Sequence, residues 1–234
     1  MVSATLGRRL PMPADPSGTA IRSAAKALVG RRLDLRVEGL EHVPFDGPVL
    51  IAARHFHHFY DGCAVLATVP RPVHILVALD WLQNRAGRAA TEKACRAAGW
   101  PVVLRPHGPS GDIDELGAAR AFRAAARDSL ALLTAGKVLL VFPEGYPNID
   151  PGYTPKQGDD EFLPFQPGVV RLASLAATRG LSVPIVPAGL SYRRANRWQV
   201  TLRFGEPLIL VDRTQEAAIL RTLEARVHVL STDR

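Results

Sequence analysis

The sequence predicts an α/β fold: a single domain with a largely parallel central sheet flanked by helices. Three observations predict it. Short apolar runs of buried-strand length recur, at residues 48–53 (PVLIAA), 73–79 (VHILVAL), 138–142 (VLLVF) and 183–192 (VPIVPAGLSY). Between them lie longer segments whose apolar residues fall at helical spacing, the alternation that builds a parallel sheet with helical crossovers. The chain of 234 residues, 47% of them apolar, suffices for one full core, and no long linker separates two.

Residues 1–18 are rich in Pro, Gly and Ser, lack apolar periodicity and read as a loose leader. The domain is then expected over 19–234. Residues 19–32 read as a basic amphipathic helix, with Ile21, Ala24, Ala25, Leu28 and Val29 at helical spacing and Arg22, Lys26, Arg31 and Arg32 elsewhere. Such a helix can lie on an anionic membrane surface, or pack on its own domain with its arginines solvated. Residues 33–44 alternate as a strand and turn at Gly47-Pro48 into the strand 48–53. A helix is expected from Asp61, a buried strand over 73–79, a helix over 80–98 and a strand over 102–105. Residues 107–114 are expected to be a polar, Gly-containing loop. Residues 115–136 predict a helix with Leu116, Phe122, Ala126, Leu130 and Leu133 on one face, stopped by Gly136. The strand 138–142 is the most apolar. After a loop over 147–163, a helix is expected over 166–178, strands over 183–192 and 198–204, and a closing helix over 214–230.

Lys and Arg total 29 against 22 Asp and Glu, a formal charge of +7 that points to nucleic acid, an anionic membrane surface or an acidic substrate. No uncharged stretch approaches the ~20 apolar residues of a membrane span. The first residues carry arginines with no apolar run after them, so no signal peptide is expected. The expectation is a cytoplasmic protein associated peripherally with the inner face of a membrane. Two cysteines, Cys63 and Cys95, make neither a disulfide framework nor a zinc site by themselves. Nucleic-acid motifs are lacking, aromatic residues are 6%, and the basic residues are spread along the chain, so no nucleic-acid partner is expected. A Gly-x-Ser-x-Gly elbow and a glycine-rich phosphate loop are also lacking.

The residues that can carry chemistry stand at strand ends, where α/β folds place their sites. Directly after PVLIAA comes Arg54-His55-Phe56-His57-His58-Phe59-Tyr60-Asp61-Gly62. An aspartate beside a histidine holds the imidazole in one tautomer and stabilises it once protonated, so the other nitrogen can deprotonate a hydroxyl. His57 and Asp61 are four apart, on one face if helical; His55 can reach Asp61 across the first turn. Helix capping and packing compete with catalysis here, and a metal site lacks a partner pair at fixed spacing. Phe142-Pro143-Glu144-Gly145 also follows a strand: Glu144 can orient a hydroxyl or polar head group, or the segment can be a turn. Arg105, ending the strand 102–105, is a fork-shaped donor for phosphate or a surface residue. Residues 186–189 (VPAG) line an acyl tunnel or belong to the core.

In this order these features resemble the glycerol-phosphate/lysophosphatidic acid acyltransferase family. Its first motif is a strand, Asn-His, four residues and Asp; its second a strand ending in Arg; its third Phe-Pro-Glu-Gly-Thr-Arg-Ser; its fourth a strand with Val-Pro-Val or a variant. The lead-in Val37-Glu38-Gly39-Leu40-Glu41-His42-Val43-Pro44 and the segment Leu163-Pro164-Phe165-Gln166-Pro167-Gly168-Val169 are similar as well, so the resemblance spans residues 36–192. It implies acyl transfer from acyl-CoA or acyl-carrier protein, as co-substrate and without a cofactor or metal, to the hydroxyl of a glycerol phosphate, lysolipid or polyol-type acceptor. The histidine is then the general base and Asp61 its orienting partner. Arg105, Phe142, Pro143, Glu144 and Gly145 take substrate-binding positions.

Three departures stand out. Five residues separate His55 from Asp61 and three separate His57, where the family has four; the strand end at Ala53 favours His55 with one residue inserted. Tyr146-Pro147-Asn148 replaces Thr-Arg-Ser, removing a phosphate-binding arginine. Arg54 stands where Asn is usual and is expected in the site as a substitute charge. The lost arginine also keeps open a hydrolase acting on an acyl thioester or lipid ester. The altered spacing keeps open a lipid-binding protein without catalysis.

Overall fold

A computed structural model of the chain describes residues 16–79, 82, 84–104 and 114–232. The first helix, α1 (Pro16–Arg32), starts inside the expected leader, since proline is well tolerated in the first turn of a helix. It feeds β1 (Leu33–Glu38), a short 3₁₀ turn and β2 (Val49–Ala53). There follow α2 (Tyr60–Thr68), β3 (Val73–Ile75), β4 (Val77–Ala78), α3 (Arg85–Ala97) and β5 (Val102–Val103). The second half runs α4 (Glu115–Thr134), β6 (Val138–Val141), α5 (Gly168–Ala177), β7 (Pro184–Arg193), β8 (Trp198–Phe204), β9 (Leu208–Ile209) and α6 (Glu216–Ser231).

Among the described residues the main sheet has seven strands in the order β1-β8-β7-β2-β6-β3, with β9 beside β7. The pairs β1–β8, β7–β2, β2–β6 and β6–β3 are parallel; only β8 and β9 run antiparallel to β7. The largely parallel α/β sheet expected from the sequence is therefore present. Its side chains alternate between two cores, as the period of a strand requires. Val49, Ile51 and Ala53 face one core with α1 and α2; Leu50 and Ala52 face the other with α4, α5 and α6. Val138 and Leu140 against Leu139 and Val141 repeat the pattern in β6.

Some expectations are corrected. The single strand over 73–79 is two strands. β3 follows β6 only until the Leu76 N–H donates to Leu140 O, and the chain then pairs with β5 in a separate two-stranded sheet. Just beyond the end of β6, Pro143 has no N–H to continue a ladder. The helix expected from residue 80 starts at Arg85, capped by Asn84 Oδ1 accepting from Ala86 N–H at 3.0 Å. On α4, Leu116 and Phe122 are exposed, while Ala118, Ala125, Leu130 and Leu133 make the buried face. Val186 and Ala188 of β7 are fully buried in the core, one of the two readings of residues 186–189. Gly189 in the same strand lets α6 lie directly on the sheet, since a Cβ there would stand 2.2 Å from the Leu230 carbonyl carbon.

Candidate active site

The site forms where β2 ends between β6 and β7. Arg54 N–H still bonds Ala188 O at 3.0 Å, and the chain then leaves the sheet at His55. Asp61 sits in the first turn of α2 with its carboxylate fully buried. Its Oδ2 lies 3.0 Å from His55 Nδ1 and accepts the N–H groups of Phe56 at 2.7 Å and His57 at 2.9 Å. Its Oδ1 accepts the Tyr192 hydroxyl at 2.6 Å. A carboxylate surrounded by donors is an acceptor only, which assigns the proton to His55 Nδ1 and leaves Nε2 as the basic nitrogen. Burial and the Asp61 charge push the Tyr192 phenol well above its ordinary range, so it remains a donor.

The segment between His55 and Asp61 is held by a short bridge. His57 pairs with Ile149: His58 N–H donates to Ile149 O at 3.0 Å, and Ile149 N–H to Phe56 O at 2.7 Å. Across this segment Asp61 reaches back to His55. His57 is turned away from it, its ring stacked on Tyr60 at 4.2 Å and on His58 at 4.8 Å. Its Nδ1 accepts the Phe59 N–H at 3.3 Å. The helical pairing of His57 with Asp61 does not form, because α2 begins at Tyr60 and His57 precedes it. Burial, then the neighbouring His58, lower the His57 pKa below its ordinary 6.5.

His55 is held from three sides. Phe142, at the end of β6, stacks on its ring at 4.2 Å and 16°. Glu144 Oε1 accepts its backbone N–H at 2.8 Å, and Lys156 Nζ donates to its carbonyl at 2.9 Å. Glu144 and Lys156 pair at 2.6 Å, with both side chains buried. Glu144 Oε2 also accepts Leu163 N–H, and Lys156 also donates to Asn148 Oδ1. Burial lowers the Lys156 pKa and Glu144 opposes the shift. Glu144 therefore lies beneath His55 with both oxygens engaged, not against an acceptor as the sequence reading put it. Pro143 is buried with its carbonyl accepting Gln166 N–H, and Gly145 turns the chain at φ 78°, where glycine is favoured.

Arg54 is also displaced from its expected place. It is buried behind the site, donating to Leu190 O and Asp159 O with its guanidinium 4.2 Å from the Phe162 ring centroid and 5.1 Å from that of Phe56. Desolvation lowers its pKa. Arg105 lies outside the described residues.

His55 opens onto a cavity of about 410 Å³. Leu66 and Cys63 of α2, Ile75–Leu79 of the β3–β4 segment, Cys95 of α3 and Trp100 form its apolar body. Burial pushes the Cys63 thiol up to about 11, so it is no ready nucleophile. No group of three or more His, Cys, Asp or Glu side chains among the described residues is placed to hold a metal ion. No helix of the described residues is long and apolar enough to cross a membrane.

Sequence reasoning missed Tyr192, which only read as the end of a strand, and Lys156, which sat in a polar loop. It also did not identify α2 and the β3–β4 segment as the apolar lining of the cavity.

No match is found among curated proteins. In fold the chain is similar to the crystal structure of the 1-acyl-sn-glycerophosphate (LPA) acyltransferase PlsC from Thermotoga maritima. The TM-score is 0.62 and the identity 20%, over 91% of this chain and 77% of that one. The Acyltransferase family matches residues 34–191, which contain His55, Asp61, Phe142 and Glu144, and the chain belongs to that family.

Proposed function

We propose that the protein transfers a fatty acyl group from a thioester donor, acyl-CoA or acyl-carrier protein, to the hydroxyl of a lysophospholipid-type acceptor, with His55 as general base. The observation that carries this reading is the 3.0 Å contact of His55 Nδ1 with the buried Asp61 carboxylate at the edge of an apolar cavity. His55 Nε2 takes the acceptor's hydroxyl proton as the oxygen attacks the thioester carbonyl carbon. The tetrahedral intermediate collapses, the C–S bond breaks, and the imidazolium returns the proton to the leaving thiolate. Asp61 stabilises the imidazolium between the two steps. The acyl chain occupies the cavity and no cofactor or metal takes part.

Arg105 is proposed to meet an anionic group of the acceptor. Pro147 stands where the family has an arginine, and Asn148 beside it commits its amide to Gly158 O, Asp159 O and Glu161 O, so neither offers the acceptor a charge. The reaction is proposed to run at an anionic membrane surface with the protein bound peripherally on the cytoplasmic side.

A thioester acyl-transfer assay tests the reading. His55→Ala and Asp61→Asn are expected to lose about 10²–10⁴-fold in turnover, the range of a positioned acid–base group, while His57→Ala changes it little. Equal turnover in Asp61→Asn and the parent sinks the dyad. Fatty acid released at the same rate with and without lysolipid favours hydrolysis.

A further inference from the structure

A second concavity, of about 380 Å³, stands at the same end of the sheet as the His55 cavity. The topology puts it there. β2 and β7 are parallel, so both end at this edge; β8 runs back from it, and β1, parallel to β8, starts from it. The last turn of α1 therefore meets the turn between β7 and β8. Arg31 and Arg32 come from the first, Arg194 and Arg197 from the second, and Trp198 and Tyr60 complete the wall.

Four guanidinium groups share this concavity, and no Asp or Glu lines it. Among the described residues no carboxylate pairs with any of the four. Arg194 lies 5.2 Å from the Trp198 ring centroid. Arg197 donates to Gly30 O at 2.7 Å and to Leu33 O, covering carbonyls where α1 ends. Its charge offsets part of the negative end of the helix. Guanidinium groups gathered without a counter-charge, in a concave site, suit the oxygens of a phosphate.

The two sites are close. Tyr60, in the wall of the arginine site, stacks on His57, and His57 on His58, which lines the catalytic cavity. On the cavity side, Phe59 and Tyr153 are 52% and 50% exposed. Exposed aromatic rings beside a basic pocket suit the headgroup region of a bilayer.

We propose that Arg31, Arg32, Arg194 and Arg197 form a phosphate site that holds the headgroup of an anionic phospholipid and turns the mouth of the His55 cavity toward the membrane. This rests on the proposed acyl transfer at a membrane surface. A soluble phosphate compound is the other source of the same chemistry.

Co-sedimentation of the full chain with phosphatidylcholine vesicles, with and without phosphatidylglycerol, tests the site. The parent is expected to bind the phosphatidylglycerol vesicles, and Arg31→Gln/Arg194→Gln to bind them about 25-fold more weakly, two side chains at roughly fivefold each. Arg120→Gln/Arg123→Gln on α4 makes the same change in net charge and is expected to bind like the parent. Equal weakening in both pairs means general charge attraction and overturns the site, as does parent-like binding by the first pair. Calorimetric titration with glycerol 3-phosphate separates the sources: affinity lost in Arg31→Gln/Arg194→Gln with vesicle binding intact assigns the site to a soluble phosphate and overturns the lipid assignment. Turnover of detergent-dispersed lysophosphatidic acid with acyl-CoA is measured apart. Its absence in the parent rejects the proposed reaction and leaves the vesicle result standing.

Discussion

Lys156 Nζ lies 2.6 Å from Glu144 Oε2, and this buried pair grips both backbone groups of His55, one partner on its N–H and the other on its carbonyl. The ring that lines the cavity is thus fixed through its own peptide units, leaving its Nδ1 to Asp61. A buried ion pair is expensive to desolvate and is tolerated where its remaining hydrogen bonds are made, as Asn148 and Leu163 make them here.

Breaking that pair is expected to cost more than replacing it. Lys156→Met leaves Glu144 buried and uncompensated and should destabilise the protein by about 3–5 kcal/mol. Lys156→Met/Glu144→Gln removes both charges, keeps an acceptor for His55 N–H, and should recover much of that loss. Urea unfolding of the two variants checks the difference; equal losses would mean that the pair is not coupled.

Tyr192→Phe removes the donor to Asp61 Oδ1 and leaves a buried oxygen without that partner, a cost of about 1–3 kcal/mol. The effect should appear as a lower kcat with KM little changed, because the hydroxyl touches the orienting carboxylate and not the cavity. A change confined to KM would place Tyr192 against substrate instead.

His57 supplies a pH signature. Its folded pKa is lowered from 6.5, chiefly by burial and then by His58, so the unfolded chain binds its proton more readily. Its contribution is complete above the unfolded value of about 6.5 and is lost as pH falls through the folded pKa. Stability should therefore drop on acidification below pH 6.5, and His57→Asn should flatten that part of the profile. Thermal unfolding across the range measures it; an unchanged slope in the variant removes His57 as the source.

The cavity sets a size limit. Val77→Trp fills space in its wall from the β3–β4 segment, whereas His55 and Asp61 stand after β2 and on α2. Turnover of long-chain donors should fall by about tenfold or more, the cost of forcing an overpacked wall to yield, while short-chain donors react nearly as in the parent. Parallel losses for both chain lengths would show that the acyl chain lies elsewhere.

The apolar runs determined the strands, because a strand buried on both faces must be apolar throughout. The spacing of Phe142 and Glu144 behind β6, and of His55 and Asp61 behind β2, was equally local and equally legible. Belonging to a strand end was readable; the neighbour at that end was not. Tyr192 reaches Asp61 across 131 residues of sequence because β7 lies beside β2, and Lys156 reaches Glu144 from a loop without periodicity. Arg54 and Glu144 carried the right charges for substrate, yet the fold spends one behind the site and the other beneath it.

By itself, then, the sequence determined the sheet's apolar interior and which strand ends bear acid–base groups, since both depend on residues adjacent in the chain. Only the tertiary structure decided between His55 and His57 as the side-chain partner of Asp61, because His57 bridges to Ile149 and stacks on Tyr60 and His58 while the His55 ring meets the carboxylate. It also decided where the apolar cavity lies and that four arginines meet beside it, because strand order, not chain order, chooses which distant segments share an edge.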